Sequence, residues 1–137
     1  MIYWDTSAII RASRLGKVPA GLTRAHAVAE FYCVVTGPGL KVPGPTGTVN
    51  IVLSPQEAEE EAQRVFAGLA FREVTGAEAL ASLPKAVARN VAGRGIHDWM
   101  HATAADLGEC QQVATLNTGH FARLTALPLV APEAVLA

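Results

Sequence analysis

Cysteine is scarce in this chain, with two residues among 137. Cys33 and Cys110 lack the spacing of metal ligands, and they stand in an apolar stretch and near a helix end. This pattern favours two buried free thiols over a disulfide framework or a cysteine zinc site.

Aromatic side chains are also few, at 6% of the sequence, although 50% of the residues are hydrophobic. Ala, Val and Leu must therefore fill the core, and 137 residues are enough to bury one without covalent staples. No apolar run approaches the roughly 20 residues of a membrane helix, and the first residues do not resemble a signal peptide. We therefore expect a single cytoplasmic domain over residues 1–137 that does not enter a membrane.

An excess of positive charge is missing as well. The formal net charge is −1, which argues against binding nucleic acid through bulk charge alone. The charge is unevenly distributed, since residues 1–41 carry a net charge of +3 and the remainder −4. The basic N-terminal third is compatible with phosphate contacts and equally with an ordinary solvated surface.

Apolar runs of strand length alternate with helical patterns along the chain. This alternation predicts an α/β fold with a mainly parallel central sheet. The predicted strands cover residues 1–4, 22–25, 49–53, 71–75, 112–116 and 127–130. Helices are predicted after Asp5, over 27–36, 55–69 and 77–92 with a bend or break near Pro84, and after the Gly93-Arg94-Gly95 turn, with Asp98 in the first turn and an end near Gly108. The breaker-rich residues 37–48 are predicted to form a surface loop.

Four polar residues stand where such a fold concentrates function. Asp5 and Asn117 follow predicted strands, Asp98 opens a helix, and Glu30 interrupts an apolar helical run. Ligands bind at the carboxyl ends of parallel strands. Capping is an equally good explanation of Asp5 and a strong one for Asp98, because carboxylates are favoured at helix starts. A local contact with His26 is the simpler explanation of Glu30.

If these side chains converge, the three acids repel one another unless a cation is present. Oxygen ligands without cysteine suit a hard ion such as Mg²⁺ or Mn²⁺. Such an ion can activate water and stabilise charge on a phosphate. If the four side chains converge, the pattern therefore favours a site for a hard metal ion that is able to act on a phosphate.

Four segments together resemble the PIN-domain nucleases, and especially the VapC toxins of toxin–antitoxin pairs. The segments are Tyr3-Trp4-Asp5-Thr6-Ser7-Ala8, His26-Ala27-Val28-Ala29-Glu30-Phe31-Tyr32, His97-Asp98-Trp99-Met100-His101-Ala102 and Ala114-Thr115-Leu116-Asn117-Thr118-Gly119-His120-Phe121. They cover nearly the whole chain in the order that the family shows. The resemblance implies a PIN-like three-layer α/β/α fold and a metal-dependent endoribonuclease.

The resemblance also assigns roles to single residues. Asp5 and Asp98 would be the principal ligands of Mg²⁺ or Mn²⁺, and Glu30 would complete the catalytic pocket. Asn117 would be a weaker ligand at a position that is often Asp in the family. Thr115, and Ser7 or Thr6, would support the pocket by hydrogen bonds.

The partners implied by the resemblance are an RNA substrate, a cognate antitoxin and a second copy of the chain. Only 25 positions separate Asp5 from Glu30, which is short for the family. A helical hairpin that usually lies there would be trimmed, so antitoxin docking and dimer contacts would change.

Three other interpretations remain open from the residues. His97 and His101 lie four apart on one helix, as zinc ligands do, but no third ligand or internal Glu accompanies them. A catalytically weak or inactive binding module of the same fold is the second. The third is a phosphotransfer domain with Asp5 as the acceptor, although no companion acid stands beside Asp5.

Overall fold

The computed structural model describes all residues from 1 to 137. It contains seven strands: β1 Ile2–Trp4, β2 Gly21–Thr23, β3 Leu40–Gly44, β4 Gly47–Ile51, β5 Leu69–Phe71, β6 Gln112–Ala114 and β7 Leu129–Val130. It contains six α-helices: α1 Thr6–Arg14, α2 His26–Thr36, α3 Pro55–Val65, α4 Gly76–Ala88, α5 Gly95–Leu107 and α6 Thr118–Phe121, followed by a 3₁₀ turn, Pro132–Ala134.

Five of the strands form one sheet in the order β5-β2-β1-β6-β7, and every pairing in it is parallel. The first strand in the sequence is therefore the central strand of the sheet. Trp4 pairs with Ala114, so the carboxyl ends of β1 and β6 lie side by side. The α/β fold with a parallel sheet, predicted from alternating strands and helices, is confirmed.

Helices cover both faces of this sheet. Trp4 points into a core built with α1, α2 and α3, whereas Tyr3 points into a second core built with α4 and α5. Both aromatic side chains are completely buried. Because adjacent strand residues face opposite sides, two neighbouring residues of β1 anchor the two helical layers.

A close approach of β2 to β1 depends on Gly21. Its φ is +147°, and a Cβ at this position would lie 2.1 Å from the carbonyl oxygen of Ile2. No other residue fits there without moving the strands apart.

Local capping rules confirm the start of α3 and correct its end. Ser54 and Glu57 form a capping box, as their spacing predicts. The helix ends at Val65, and the predicted extension to Leu69 is wrong because Leu69 already belongs to β5. The strand predicted over 71–75 is accordingly displaced towards the N-terminus.

Pro84 neither divides α4 into two helices nor ends the helix. The helix runs from Gly76 to Ala88 with Pro84 inside. A capping box of Thr75 and Glu78 starts it, and packing of Ala86 in the second core supports its last turns. The prediction of a helix through this region is confirmed, and the break is not observed.

Residues 37–48 do not form an irregular loop. β3 and β4 pair as an antiparallel hairpin around a turn at Pro45 and Thr46, and they form a separate two-stranded sheet. Several of the glycines and prolines that predict a loop belong to the turn. Pro43 stands in β3 at a position where an N–H is not needed for a hydrogen bond to β4.

Two further observations bear on the composition. Cys110 is buried as predicted, but Cys33 is exposed on α2, so the prediction of two buried thiols is wrong for that residue. None of the helices is long and apolar enough to cross a membrane.

Candidate active site

Asp5 lies at the carboxyl end of β1 and is only 2% exposed. One carboxylate oxygen, Oδ1, accepts hydrogen bonds from the Ser7 hydroxyl at 2.7 Å and from the backbone N–H of Ala8 at 2.9 Å. The other, Oδ2, accepts one from the Thr115 hydroxyl at 2.6 Å. Asp5 therefore caps α1, as the simpler explanation predicts, and it also contacts the end of β6.

Burial raises the pKa of the Asp5 carboxyl above its ordinary value. The hydrogen bonds from Thr115, Ala8 and Ser7, and the nearby His101, oppose this effect without cancelling it. A cation next to this buried carboxylate would stabilise its ionised form and lower its pKa, because opposite charges attract.

The hydroxyls of Thr115 and Ser7 link the carboxyl ends of β1 and β6 by hydrogen bonds. The Thr115 hydroxyl accepts the N–H of Asn117 at 2.9 Å, and the Ser7 hydroxyl accepts the N–H of Leu116 at 3.1 Å. Both hydroxyls thus bond to Asp5 and to the backbone that follows β6. The supporting roles expected for Thr115 and Ser7 agree with this geometry.

Glu30 reaches the same region from α2. Its Oε1 accepts a hydrogen bond from the Thr6 hydroxyl at 3.0 Å and lies 3.1 Å from Nε2 of His101. The other ring nitrogen of His101, Nδ1, lies 2.7 Å from the Tyr3 hydroxyl. Nε2 of His101 faces Glu30 and Nδ1 faces the Tyr3 hydroxyl, so both of its ring nitrogens have hydrogen-bond partners.

The pKa values of these partners move in opposite directions. Burial alone would raise the pKa of Glu30, but the hydrogen bond and charge of His101, with the hydrogen bond from Thr6, hold it below its ordinary value. Burial raises the pKa of Tyr3. Glu30 is therefore ionised and Tyr3 neutral at pH 7.

Asp98 occupies the first turn of α5, as predicted. Its carboxylate lies 3.1 Å from Nε2 of His120, and its side chain is 31% exposed. His120 belongs to α6, which starts immediately after Asn117. The exposed Asn117 occupies the position before that helix, but its side chain makes no capping hydrogen bond.

The structure does not bring the four predicted site residues into one cluster. Asp5 is hydrogen-bonded to Ser7 and Glu30 to the neighbouring Thr6, so these two acids lie in one region. Asp98 is paired with His120 at the start of α5. No group of three His, Cys, Asp or Glu side chains has the arrangement of a cation site. A shared three-acid centre is therefore not formed by the side chains in these positions.

Two histidines have roles that sequence reasoning did not assign. His101 lies one turn after Asp98 on α5, a spacing that places both on one helix face and could have indicated a shared site. His120 pairs with Asp98 across two helices, and no local pattern indicates such a contact.

The other histidine interpretations are not supported by the geometry. His97 stacks on His26 with ring centroids 6.1 Å apart, while both nitrogens of His101 already have partners. A zinc site through His97 and His101 is therefore not formed. The predicted local contact of Glu30 with His26 is replaced by the hydrogen bond to His101.

The chain matches no family model, and no curated protein matches it in sequence.

Proposed function

We propose that this chain is a metal-dependent endoribonuclease of the PIN type and the toxin of a toxin–antitoxin pair. The observation that carries the proposal is the junction of Asp5 and Thr115, which links the carboxyl ends of β1 and β6 through a buried 2.6 Å hydrogen bond. Residues from two of the four segments that resemble the family meet there. Glu30, from a third segment, accepts a hydrogen bond from the hydroxyl of Thr6, the residue after Asp5. The Asp98 segment starts α5, the helix that also supplies His101.

The donor chemistry fits Mg²⁺ or Mn²⁺. Asp5 is a buried carboxylate whose Oδ2 accepts a single hydrogen bond and so retains acceptor capacity, and the surrounding side chains offer oxygen donors and imidazole nitrogens. Mg²⁺ is commonly bound through one or two carboxylates with water completing its coordination, so three converging acids are not required. Asp5 would hold the ion, with Asp98 and Glu30 acting directly or through water and Asn117 contributing an amide oxygen.

Bound there, the ion would supply a water of lowered pKa and stabilise charge developing on the phosphate. The protein's own residues have separate tasks. Ser7, Ala8 and Thr115 fix the Asp5 carboxylate in one orientation. His101 holds Glu30 ionised and in place, and it is in turn positioned by Tyr3. His120, which belongs to α6, orients the carboxylate of Asp98.

The partners in this proposal are an RNA substrate, an antitoxin that blocks the acidic pocket and a second copy of the chain. The basic residues of the first 41 positions would supply part of the RNA contact. The antitoxin would present cationic groups that complement the carboxyl groups of Asp5, Glu30 and Asp98.

The direct test is cleavage of a mixed pool of structured RNA with Mg²⁺, with Mn²⁺ and with chelator. We expect cleavage that requires the ion and that falls by at least about 100-fold in Asp98→Asn. Asp106→Asn is the matched control, because Asp106 is an exposed acid of the same helix that lies in the cleft lined by Lys85 and Trp99. Equal cleavage by Asp98→Asn and wild type would refute the assignment of Asp98.

A catalytically weak or inactive binding module of the same fold is the alternative. It is favoured by the absence of a three-acid centre and by the three hydrogen bonds that Asp5 already accepts within the chain. Titration calorimetry with Mn²⁺ distinguishes the two. Metal binding that is lost in Asp5→Asn supports the nuclease, whereas no metal binding together with no RNA cleavage supports the module.

A further inference from the structure

A small basic cavity lies where the end of α4 meets the start of α5 and the residues that follow α6. Its volume is about 200 Å³, and its polar lining consists of Arg89, Asn90, His120 and Arg123. None of the lining residues is acidic. The cavity is smaller than the sites that hold drug-sized ligands, so it suits a single small anionic group.

The two arginines of this cavity, Arg89 and Arg123, have no carboxylate partner. Neither belongs to an ion pair of the chain. Arg89 Nη1 donates to the backbone carbonyl oxygen of Arg123 at 3.4 Å, which holds the two residues together. Burial raises the pKa of Asp106, and the charge of Arg89 opposes this rise without forming an ion pair. Two positive side chains therefore share one cavity, and both would attract a bound anion.

His120 connects the cavity to the candidate active site. Its Nε2 lies 3.1 Å from the carboxylate of Asp98, and the same residue lines the cavity. Gly95 is a further lining residue, and a Cβ at its position would lie 3.9 Å from Cε1 of His120. A ligand in the cavity would therefore lie beside the acid in the first turn of α5.

We propose that this cavity binds a phosphate group of an RNA strand, at the nucleotide next to the one that occupies the acidic site. The guanidinium groups of Arg89 and Arg123 would donate to its non-bridging oxygens, because a planar guanidinium matches the geometry of a phosphate. Both arginines lie outside the basic first 41 residues. The RNA contact would therefore extend to the opposite end of the chain.

An RNA strand fits this position better than a protein carboxylate does. Successive phosphates of a strand are one nucleotide apart, so a strand with one phosphate at Asp98 brings the next one close to His120. Such a contact fixes the register of the strand over the acids and carries no base preference. The position relative to the cleaved nucleotide rests on the proposed nuclease, whereas the binding of phosphate does not.

The first test titrates inorganic phosphate into the full chain with chelator and follows the NMR signals of the arginine side chains and of the Gly95 amide. We expect shifts that saturate. Arg89→Gln and Arg123→Gln should each weaken phosphate binding by about 10-fold or more, because each removes a charged hydrogen-bond donor. Lys85→Gln is the matched control, since it removes the same charge one turn earlier on α4, in the cleft that contains Asp106. It should bind phosphate as wild type does.

The second test measures the affinity for a single-stranded RNA oligonucleotide at several salt concentrations, again with chelator so that no metal-dependent cleavage occurs. Wild type and Lys85→Gln should give the same slope of log affinity against log salt. Arg89→Gln should give a slope that is shallower by about 0.7, because one phosphate contact is lost. Arg89→Lys keeps the charge and should keep the slope, but it should bind more weakly because an ammonium group cannot form a bidentate pair.

Phosphate shifts that do not saturate, or that are equal in wild type and the double arginine variant, would overturn the proposed site. Phosphate binding without any effect of the two arginines on RNA affinity would identify a site for free anions and overturn the assignment to RNA. Neither measurement depends on cleavage. Equal cleavage by Asp98→Asn and wild type would therefore refute the role of Asp98 in the nuclease while leaving the phosphate site intact.

Discussion

The hydroxyl of Thr115 donates to Asp5 Oδ2 at 2.6 Å and accepts the backbone N–H of Asn117 at 2.9 Å. One buried side chain therefore connects the acid at the end of β1 with the start of α6. Thr125 is a natural comparison within the same chain. It is also buried and accepts an N–H two residues later, from Leu127, but it contacts no acid.

This comparison yields the first prediction. Thr115→Val should lower the free energy of unfolding by about 1–3 kcal/mol, because the Asp5 carboxylate and the Asn117 N–H lose a buried partner. It should also reduce metal-dependent RNA cleavage. Thr125→Val should lower stability while leaving cleavage unchanged. Urea unfolding and cleavage assays on both variants provide the measurement, and a similar loss of cleavage in both would show that the effect is one of stability alone.

Asp5 should make the protein less stable at neutral pH than in mild acid when no metal is bound. Burial raises its pKa above the ordinary value of 3.8, so the folded carboxyl binds protons more tightly than the unfolded one. Its unfavourable contribution is absent at low pH and grows as the pH rises from 3.8 through the raised pKa.

Asp5→Asn should therefore be more stable than wild type at pH 7 by about 1–3 kcal/mol, because the amide carries no charge that burial disfavours. The difference should shrink as the pH falls. Glu30 acts in the opposite direction in both proteins, because its lowered pKa gives stability that is lost as the pH falls below 4.5. Urea unfolding with chelator at several pH values measures the difference. A less stable Asp5→Asn at pH 7 would contradict the argument.

The hydrogen bond between Tyr3 and His101 should appear as a coupling energy. Tyr3→Phe and His101→Leu are each expected to lower the free energy of unfolding, since each leaves a buried polar atom without its partner. The double variant should lose less than the sum of the two by about 0.5–3 kcal/mol. Tyr3→Phe combined with Thr36→Ala, a substitution on exposed α2 surface, should be additive. Additivity of the Tyr3 and His101 changes would argue against the contact.

Replacing the proline inside α4 should stabilise the protein. Pro84 is exposed and cannot donate a backbone hydrogen bond within the helix. Pro84→Ala should raise the free energy of unfolding by up to about 3 kcal/mol. Pro55 stands at the first turn of α3, where a missing N–H has no cost, so Pro55→Ala should lower stability slightly. Opposite shifts of the thermal midpoint in the two variants would confirm the distinction, and a decrease in both would exclude it.

Features governed by short-range rules could be predicted from the sequence. The strand before Asp5, the capping box of Ser54 and Glu57 and the place of Asp98 in the first turn of a helix depend on neighbouring residues alone. The parallel sheet follows from the alternation of strands and helices. The contact of Asp5 with Thr115 depends in addition on the strand order, which places β6 beside β1.

Features that depend on distant contacts could not be predicted in the same way. Glycine and proline around residues 37–48 are as typical of a loop as of a hairpin turn, and only pairing with β4 distinguishes the two. The pairing of Asp98 with His120 and the direction of Glu30 towards His101 depend on how helices pack. The resemblance to a family predicted the acids of the site. It did not predict the histidines that contact them, His101 and His120.

The position of β1 at the centre of the sheet affects how this chain is made. β1 leaves the ribosome well before one of its two neighbours, β6, which is translated more than a hundred residues later. Until then, Tyr3 and Trp4 have no completed cores, and Asp5 lacks the hydroxyl of Thr115. Closing so long a loop is slow compared with local helix formation. The contact between Asp5 and Thr115 therefore forms only after β6 has been translated, later than the helices that form locally.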